Sequence, residues 1–496
     1  MGSSTDPRHV AQVLLAELGL DVVSCAEMQS LWAGYGHICA VEARPSPTSP
    51  RHSSSGSISS IAAAAATIHE TKLSEPPRES VNKDKDDGDG TLHLVLKLIS
   101  PPTRHGDEGH LRKMLSYQVE QYFYDEVAPA LAAGEDDGGP AVAVCLASTR
   151  RRVAAASSSC AEPPLGNDLI ATVMTDLRGE FPVAGEKRAA LDARQVHAAL
   201  EWLARFHGGS WKLLGGAAAP AGVPRGHHRL DDALLLPPLE EEARRKQSPG
   251  RAGRGQLWLN GGYTYLATRR KEYAALARDG SSEWCAALCK PLNGGGDESS
   301  SASVAELVAE FLTPRGRPFE TYIHGDVKSE NLFATDAGDR VAFFDFQYAG
   351  VGLGVCDLAK LFTCSVPLDM LINDDDDDDH HRHHHRHHHD GEGHAAASMP
   401  PHRGLLAMMG AGERRLLEEY RSTLLARRRR GPSSWTPPEY PWETFVRHWE
   451  AALVDWCRFQ ASWGFWGNTE WLQARVRSIL GDEQWREWLL REVSSA

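Results

Sequence analysis

Three oxygen-bearing side chains, Asp326, Asn331 and Asp345, lie in the stretch HGDVKSENLFATDAGDRVAFFDFQ, from His324 to Gln347. Phosphoryl transfer asks little covalent chemistry of a protein. It needs one carboxylate to orient an attacking hydroxyl and hard oxygen ligands for magnesium. Asp326 suits the first task, and Asn331 and Asp345 suit the second. Phe319 to Ile323 and Arg340 to Phe344 read as strands, and the Asp- and Gly-rich ATDAGD (Ala334 to Asp339) reads as a turn between them. The expected arrangement is a short hairpin with the three polar groups converging at one end. A plainer alternative for the same residues is a buried Asp with a capping Asn on an ordinary hairpin.

HGD, four further residues, Asn, and then an apolar strand ending in Asp resembles the catalytic and metal segment of aminoglycoside phosphotransferases, choline kinases and ecdysteroid-kinase-like enzymes. These share the protein-kinase-like fold. The resemblance implies an α+β chain in two lobes: an antiparallel N-terminal sheet with one helix, and a larger, mainly helical C-terminal lobe. It also implies ATP and Mg2+ as cofactors, with Asp326 orienting and deprotonating a hydroxyl and Asn331 and Asp345 holding the metal.

Upstream, the resemblance asks for a glycine turn, a strand lysine and a helical glutamate, in that order. Leu31 to Ala43 reads as strand, turn, strand, with Gly34, Tyr35 and Gly36 at the turn, although Cys39 stands where a third glycine is usual. Lys97 sits in the middle of the β-rich run LHLVLKLI, Leu92 to Ile99. It is either an edge-strand gatekeeper or a charge aimed at phosphates. Leu111, Leu115, Val119, Phe123 and Val127 repeat at a helical period with Glu120 beside the stripe, so that Glu120 can hold Lys97 in place. Asp168 to Leu177 resembles the strand and hinge that meet an adenine ring through the backbone near Met174 and Thr175. Asp192 to His207 opens at capping-box spacing and reads as a long buried helix.

The same residues indicate the kind of kinase. Gly325 replaces the arginine with which many protein kinases read a phosphorylated activation loop, Gln347 stands at the glycine of DFG, and no APE-like segment follows Asp345. Instead comes GVGLGVCDLAKLF, whose Asp357 resembles the family's structural Asp. A small-molecule hydroxyl acceptor is therefore expected, with a pseudokinase scaffold or a Ser/Thr protein kinase as the alternatives. Lys328 either neutralises γ-phosphate charge or pairs with Glu330.

At 496 residues the chain is long enough for two lobes, expected at 1–175 and 176–496. Apolar residues make up 41%, and a net charge of −14 argues against a nucleic-acid surface. Nine cysteines without CxxC spacing read as free thiols of a reducing compartment. No segment approaches a membrane span, so a soluble cytoplasmic protein is expected. Polar, low-complexity insertions are expected at about 44–90, 215–255, 294–303 and 373–438. The run from Asp374 to His389 within the last could chelate metal, but it lacks the fixed geometry of a working site. Near the C-terminus, Trp449, Trp456, Trp463 and Trp466 form either an aromatic box for a quaternary ammonium or ordinary helix-packing core. Arg269, Arg270 and Glu272 are candidates to touch an acceptor, or they merely solvate a helix.

Overall fold

The computed structural model describes residues 6–31, 34–47, 90–101, 107–133, 139–156, 165, 169–215, 234–247, 257–291, 302–373, 406–428 and 439–495. Most of the expected insertions, and all of the run from Asp374 to His389, lie outside the described residues. The chain divides into two compact units, Met1–Ala130 with Val142–Val183, and Leu131–Ala141 with Ala184–Ala496.

In the first unit, β1 (Leu20–Ser30), β2 (Gly36–Pro45), β3 (Leu92–Ile99), β4 (Cys145–Ser148) and β5 (Ile170–Thr175) form an antiparallel sheet in the order β1-β2-β3-β5-β4. Alternation along β3 sends Leu94, Leu96 and Leu98 into the core with Val41, Ala43, Ala171 and Val173. Each such leucine contributes about 1.5–3 kcal/mol of burial. Helix α1 (Pro7–Ala16) covers this face with Val10, Ala11, Leu14 and Leu15, and is capped by the Asp6 carboxylate accepting from His9 N. The odd positions of β3 point the other way, which aims Lys97 at helix α2 (Glu108–Tyr122). Since β2 and β5 flank β3 on both sides, the edge-strand explanation of Lys97 does not hold. The helical period beginning at Leu111 continues past α2 as a single π-type turn, Phe123–Val127.

The second unit is mainly helical. Helix α3 (Ala193–Gly215) starts from a reciprocal cap in which Asp192 N donates to Gln195 Oε1 and Gln195 N donates to Asp192 Oδ1. It buries Val196, Leu200, Leu203 and Phe206. Strand β6 (Glu320–Ile323) precedes the HGD motif, and β7 (Leu332–Ala334) and β8 (Val341–Phe343) form the hairpin after it. The expected pairing is corrected here: β6 is not the hairpin partner of Arg340 to Phe344, but runs antiparallel to β9 (Gly350–Leu353). A tight turn joins β7 to β8, so that local pairing forms and leaves β6 to a strand further along the chain.

Helix α3 packs on β6 and β8, α5 (Ala411–Arg428) packs on α3, and α4 (Val355–Cys364) and α7 (Thr469–Gly481) pack on α6 (Trp442–Trp463). The α5 residue Glu413 is wholly buried. Its carboxylate accepts from Trp449 Nε1 at 2.8 Å, Trp471 Nε1 at 3.3 Å and Arg475 Nε at 3.1 Å, which ties α5, α6 and α7 together. No helix among the described residues is long and apolar enough to cross a membrane. Replacing Glu413 by Ala strands the Arg475 charge and two indole donors, and should cost about 3–5 kcal/mol in a urea unfolding titration. A loss below about 1 kcal/mol would show that the cluster contributes little.

Candidate active site

Asp326 follows directly on a turn that only glycine can make. Gly325 has φ +84°, and a Cβ there would lie 2.3 Å from Tyr348 O and 2.8 Å from Gly262 N. The absence of a protein-kinase-style arginine at this position therefore has a steric cause. Asp357, on the first turn of α4, fixes the same turn: Oδ2 accepts from His324 N at 2.7 Å and Oδ1 from Gly325 N at 2.9 Å. Lys360 Nζ donates to Gly325 O from one turn further along α4. Because a carboxylate only accepts, His207 Nε2 is the donor in its 3.1 Å contact with Asp357 Oδ2, and His207 Nδ1 meets the Tyr420 hydroxyl at 2.7 Å. Burial alone would raise the pKa of Asp357, but hydrogen bonding from His207 and the charge of Lys360 hold it below 3.8.

His324 is also fully buried, and burial pushes its pKa below 6.5 against the pull of Asp357. Its Nε2 donates to Phe344 O at 2.9 Å, which fixes the tautomer, and its Nδ1 accepts from Asp326 N at 3.2 Å. One imidazole thereby joins the backbone at Asp326 to the end of the hairpin beside Asp345.

The polar residues expected at this end of the unit lie around that imidazole. Asn331 Nδ2 donates to Asp326 O at 2.8 Å and to Asp326 Oδ2 at 3.2 Å, which leaves the amide oxygen as an acceptor. The backbone of Asn331 bonds Phe344 N at 3.0 Å, the residue before Asp345. Asp345 adopts φ +67°, ψ +57°, a left-handed conformation that costs a non-glycine residue about 1–3 kcal/mol and marks a site held by its surroundings. Its Oδ1 accepts from Gln347 Nε2 at 2.6 Å. Lys328 Nζ lies 3.1 Å from Asp326 Oδ2 and 3.2 Å from Glu330 Oε1, so it pairs with both carboxylates. Burial works to lower its pKa, and the charges of Asp326 and Glu330 outweigh that and raise it.

Among the described residues no group of three His, Cys, Asp or Glu side chains is placed to hold a metal. The Asn331 amide oxygen and the Asp345 carboxylate are nonetheless donor types that fit magnesium, which takes one or two carboxylates and fills its octahedron with water and phosphate oxygens.

In the first unit, Lys97 Nζ lies 2.5 Å from Glu120 Oε2, with both side chains largely buried. His110, Lys113, Tyr117 and Glu120 share one face of α2 through their spacing of three, four and three. That face also reaches the glycine turn. Tyr35 OH is 2.7 Å from His110 Nδ1, and Lys113 Nζ stands 4.4 Å from the Tyr35 ring centroid. Gly34 has φ +72° and Gly36 φ +148°, and a Cβ on Gly36 would lie 1.9 Å from Leu98 O.

One strand in from the sheet's far edge, Met174 pairs with Val95 on one side and Cys145 on the other. Thr175 N already donates to Val144 O at 3.0 Å, and Thr175 Oγ1 accepts from Val144 N at 2.9 Å. The Thr175 amide is therefore engaged within the sheet.

The four tryptophans do not form one box. Trp449 is buried on Glu413, Trp456 stacks on Phe459 at 5.5 Å with Trp466 edge-on, and Trp463 is 52% exposed. Arg270 pairs with Glu240, and Arg269 is buried. Sequence reasoning missed Tyr263, whose amide donates to Gly325 O at 3.1 Å; nothing in its local pattern signals that contact.

Two consequences can be measured. Gly325→Ala forces a Cβ into Tyr348 O, and should lower stability by at least about 2 kcal/mol in denaturant titration, whereas a neutral result would contradict the turn geometry. Because the folded pKa of Asp357 lies below its ordinary 3.8, its contribution is present in full above that value and is lost as pH falls through the folded pKa. Asp357→Asn should therefore be less stable near neutral pH and show a shallower acid decline below about pH 4. Parallel acid limbs in urea melts at matched ionic strength would contradict this.

Comparison with known proteins adds to this geometry. No curated protein matches the sequence. Similar solved structures include a macrolide 2'-phosphotransferase from Brachybacterium faecium in its apoenzyme form, at 13% identity, 98% of this chain, 97% of that chain and TM-score 0.32. A choline kinase from Cryptosporidium parvum matches at 10% identity, 96% of this chain, 91% of that chain and TM-score 0.32. An ethanolamine kinase from Plasmodium vivax matches at 8% identity, 95% of this chain, 84% of that chain and TM-score 0.31. Residues 124–389, more than half of the chain, match the APH family of phosphotransferase enzymes. Together with the motif from His324 to Gln347, this match means that the chain belongs to the APH phosphotransferase enzyme family and is a small-molecule kinase.

Proposed function

We propose that the chain moves the γ-phosphoryl group of ATP to a hydroxyl of a small molecule, in a magnesium-dependent reaction. The observation that carries this is the environment of the Asp326 carboxylate. Its Oδ2 is engaged by Asn331 Nδ2 at 3.2 Å and Lys328 Nζ at 3.1 Å, which leaves Oδ1 to meet an acceptor. A carboxylate fixed through one oxygen and offered through the other suits orientation of a hydroxyl and removal of its proton during in-line attack.

Asn331 and Asp345 are the proposed metal ligands. Magnesium, when bound there with the nucleotide, neutralises phosphate charge. Lys97, positioned by Glu120, is assigned to the phosphates, and the turn Gly34–Tyr35–Gly36 to close approach of its backbone to phosphate oxygens. Tyr35 gains a positioning role through its bond to His110 at 2.7 Å, on the same helix as Glu120. The backbone near Met174 and Thr175 is the proposed adenine edge. Lys328 is assigned to holding Asp326, with its charge close enough to favour an arriving phosphoryl group.

We take the two units, Met1–Ala130 with Val142–Val183 and Leu131–Ala141 with Ala184–Ala496, as the lobes of a protein-kinase-like fold expected at about 1–175 and 176–496. A small acceptor rather than a peptide is favoured because Gly325 has no space for a phosphate-reading arginine. Work in the cytoplasm is favoured by the described cysteines, all of which are free thiols.

The test is an ATP-consumption screen over sterols, amino alcohols, aminosugars and nucleosides, with Asp326→Asn alongside. An accepted hydroxyl compound is expected, and Asp326→Asn should lower kcat by about 10²–10⁴-fold while ATP binding stays near wild type. A variant as active as the wild type would remove Asp326 from the chemistry. Tight ATP binding with no acceptor turned over would favour a scaffold.

A further inference from the structure

Arg269 is wholly buried, yet its Nη1 and Nη2 donate a hydrogen bond to nothing among the described residues. Only Nε has a hydrogen-bond partner, Tyr263 O at 2.7 Å, and Nη1 stands 3.5 Å from Glu272 Oε1 as an ion pair. What surrounds the guanidinium is aromatic. Its Cζ lies 3.7 Å from the Tyr263 ring centroid, 5.4 Å from that of Trp463 and 5.8 Å from that of Phe459. Phe459 and Trp463 are one helical turn apart on α6 and stack at 5.8 Å and 18°. Tyr263 stands edge-on to both, at 82° to Phe459 and 81° to Trp463. Three rings with one cation inside 6 Å of each make an aromatic cage, the arrangement by which proteins bind quaternary ammonium groups.

This cage is filled from within. It also adjoins the chemistry, because Tyr263 N donates to Gly325 O at 3.1 Å and Asp326 is the next residue. Packing alone gives no reason for a guanidinium here. A Leu or Met would occupy comparable space without burying two donors that have no hydrogen-bond partner among the described residues. A planar, weakly hydrated cation does satisfy ring faces, and it repels any second cation brought to the same low-dielectric spot.

We propose that Arg269 is a built-in occupant of an acceptor-side aromatic cage and a specificity-determining residue: it shuts quaternary-ammonium alcohols out and leaves the site to acceptors that are neutral or anionic at that point. Only the words "acceptor-side" rest on the proposed phosphotransfer. The cage and its filling stand on the distances.

Binding can be followed without turnover, through tryptophan fluorescence, since Trp463 is 52% exposed. Tetramethylammonium chloride is titrated into the full chain against equal sodium chloride. The wild type should show no saturable change. Arg269→Ala should bind at least tenfold more tightly, and adding Trp463→Ala should abolish the gain. Should Arg269→Ala fail to fold, Arg269→Gln keeps the side-chain stem while removing the guanidinium, and should show the same gain. Saturable binding by the wild type equal to that of the variants would overturn the proposal, as would folded variants that gain nothing. Neither outcome depends on whether ATP is hydrolysed, so a silent ATP screen and a failed cage remain distinguishable.

Discussion

The buried carboxylate of Asp357 is the constraint on which the second unit's site depends. It accepts from two consecutive backbone amides, His324 and Gly325, and from the imidazole of His207. A charge so deep in the protein persists only if its acceptor positions are met, and here they are met by His207 on α3 and by two amides of the loop itself. The consequence is geometric. The chain is bent through Gly325 where no Cβ fits, and Asp326 emerges in one direction only. His324 carries that order onward, with one nitrogen on Asp326 N and the other on Phe344 O, so that the position of Asp345 follows from the position of Asp326.

A comparable economy governs the first unit. One face of α2 reads His110, Lys113, Tyr117, Glu120, and it meets both the glycine turn, through Tyr35, and the central strand, through Lys97. A rigid helix spans the two contacts, so displacement of one is transmitted to the other. Positional freedom is low for a second reason: Gly36 lies so close to Leu98 O that the turn has no space to shift inward.

Much of this was legible in the sequence, and the limits are instructive. Strand alternation in Leu92 to Ile99 and the helical period from Leu111 place Lys97 and Glu120 on facing surfaces, because both periods are fixed by backbone geometry. The reciprocal cap of Asp192 and Gln195, and the long helix Trp442–Trp463, were readable for the same local reason. Family membership followed from type, order and spacing in the motif from His324 to Gln347. Strand partnership was not readable. Glu320–Ile323 pairs with Gly350–Leu353 rather than with the nearer Arg340 to Phe344, and short apolar runs carry no label for their partner. Nor was Tyr420, which meets His207 across 213 residues. Spacing alone also could not say that Trp449 faces a buried Glu413 while Trp463 faces solvent and Arg269. The period places aromatic residues on a helix, and the neighbours decide what they do there.

The central claim is that Lys97 and Asp345 each serve the proposed phosphoryl transfer, Lys97 through the nucleotide's phosphates and Asp345 through magnesium. Calorimetric titration of ATP, with and without magnesium, into wild type, Lys97→Ala and Asp345→Ala tests it most directly. The account predicts that Lys97→Ala weakens ATP binding under both conditions, whereas Asp345→Ala weakens it only when magnesium is present. Wild-type affinity in both variants would contradict it.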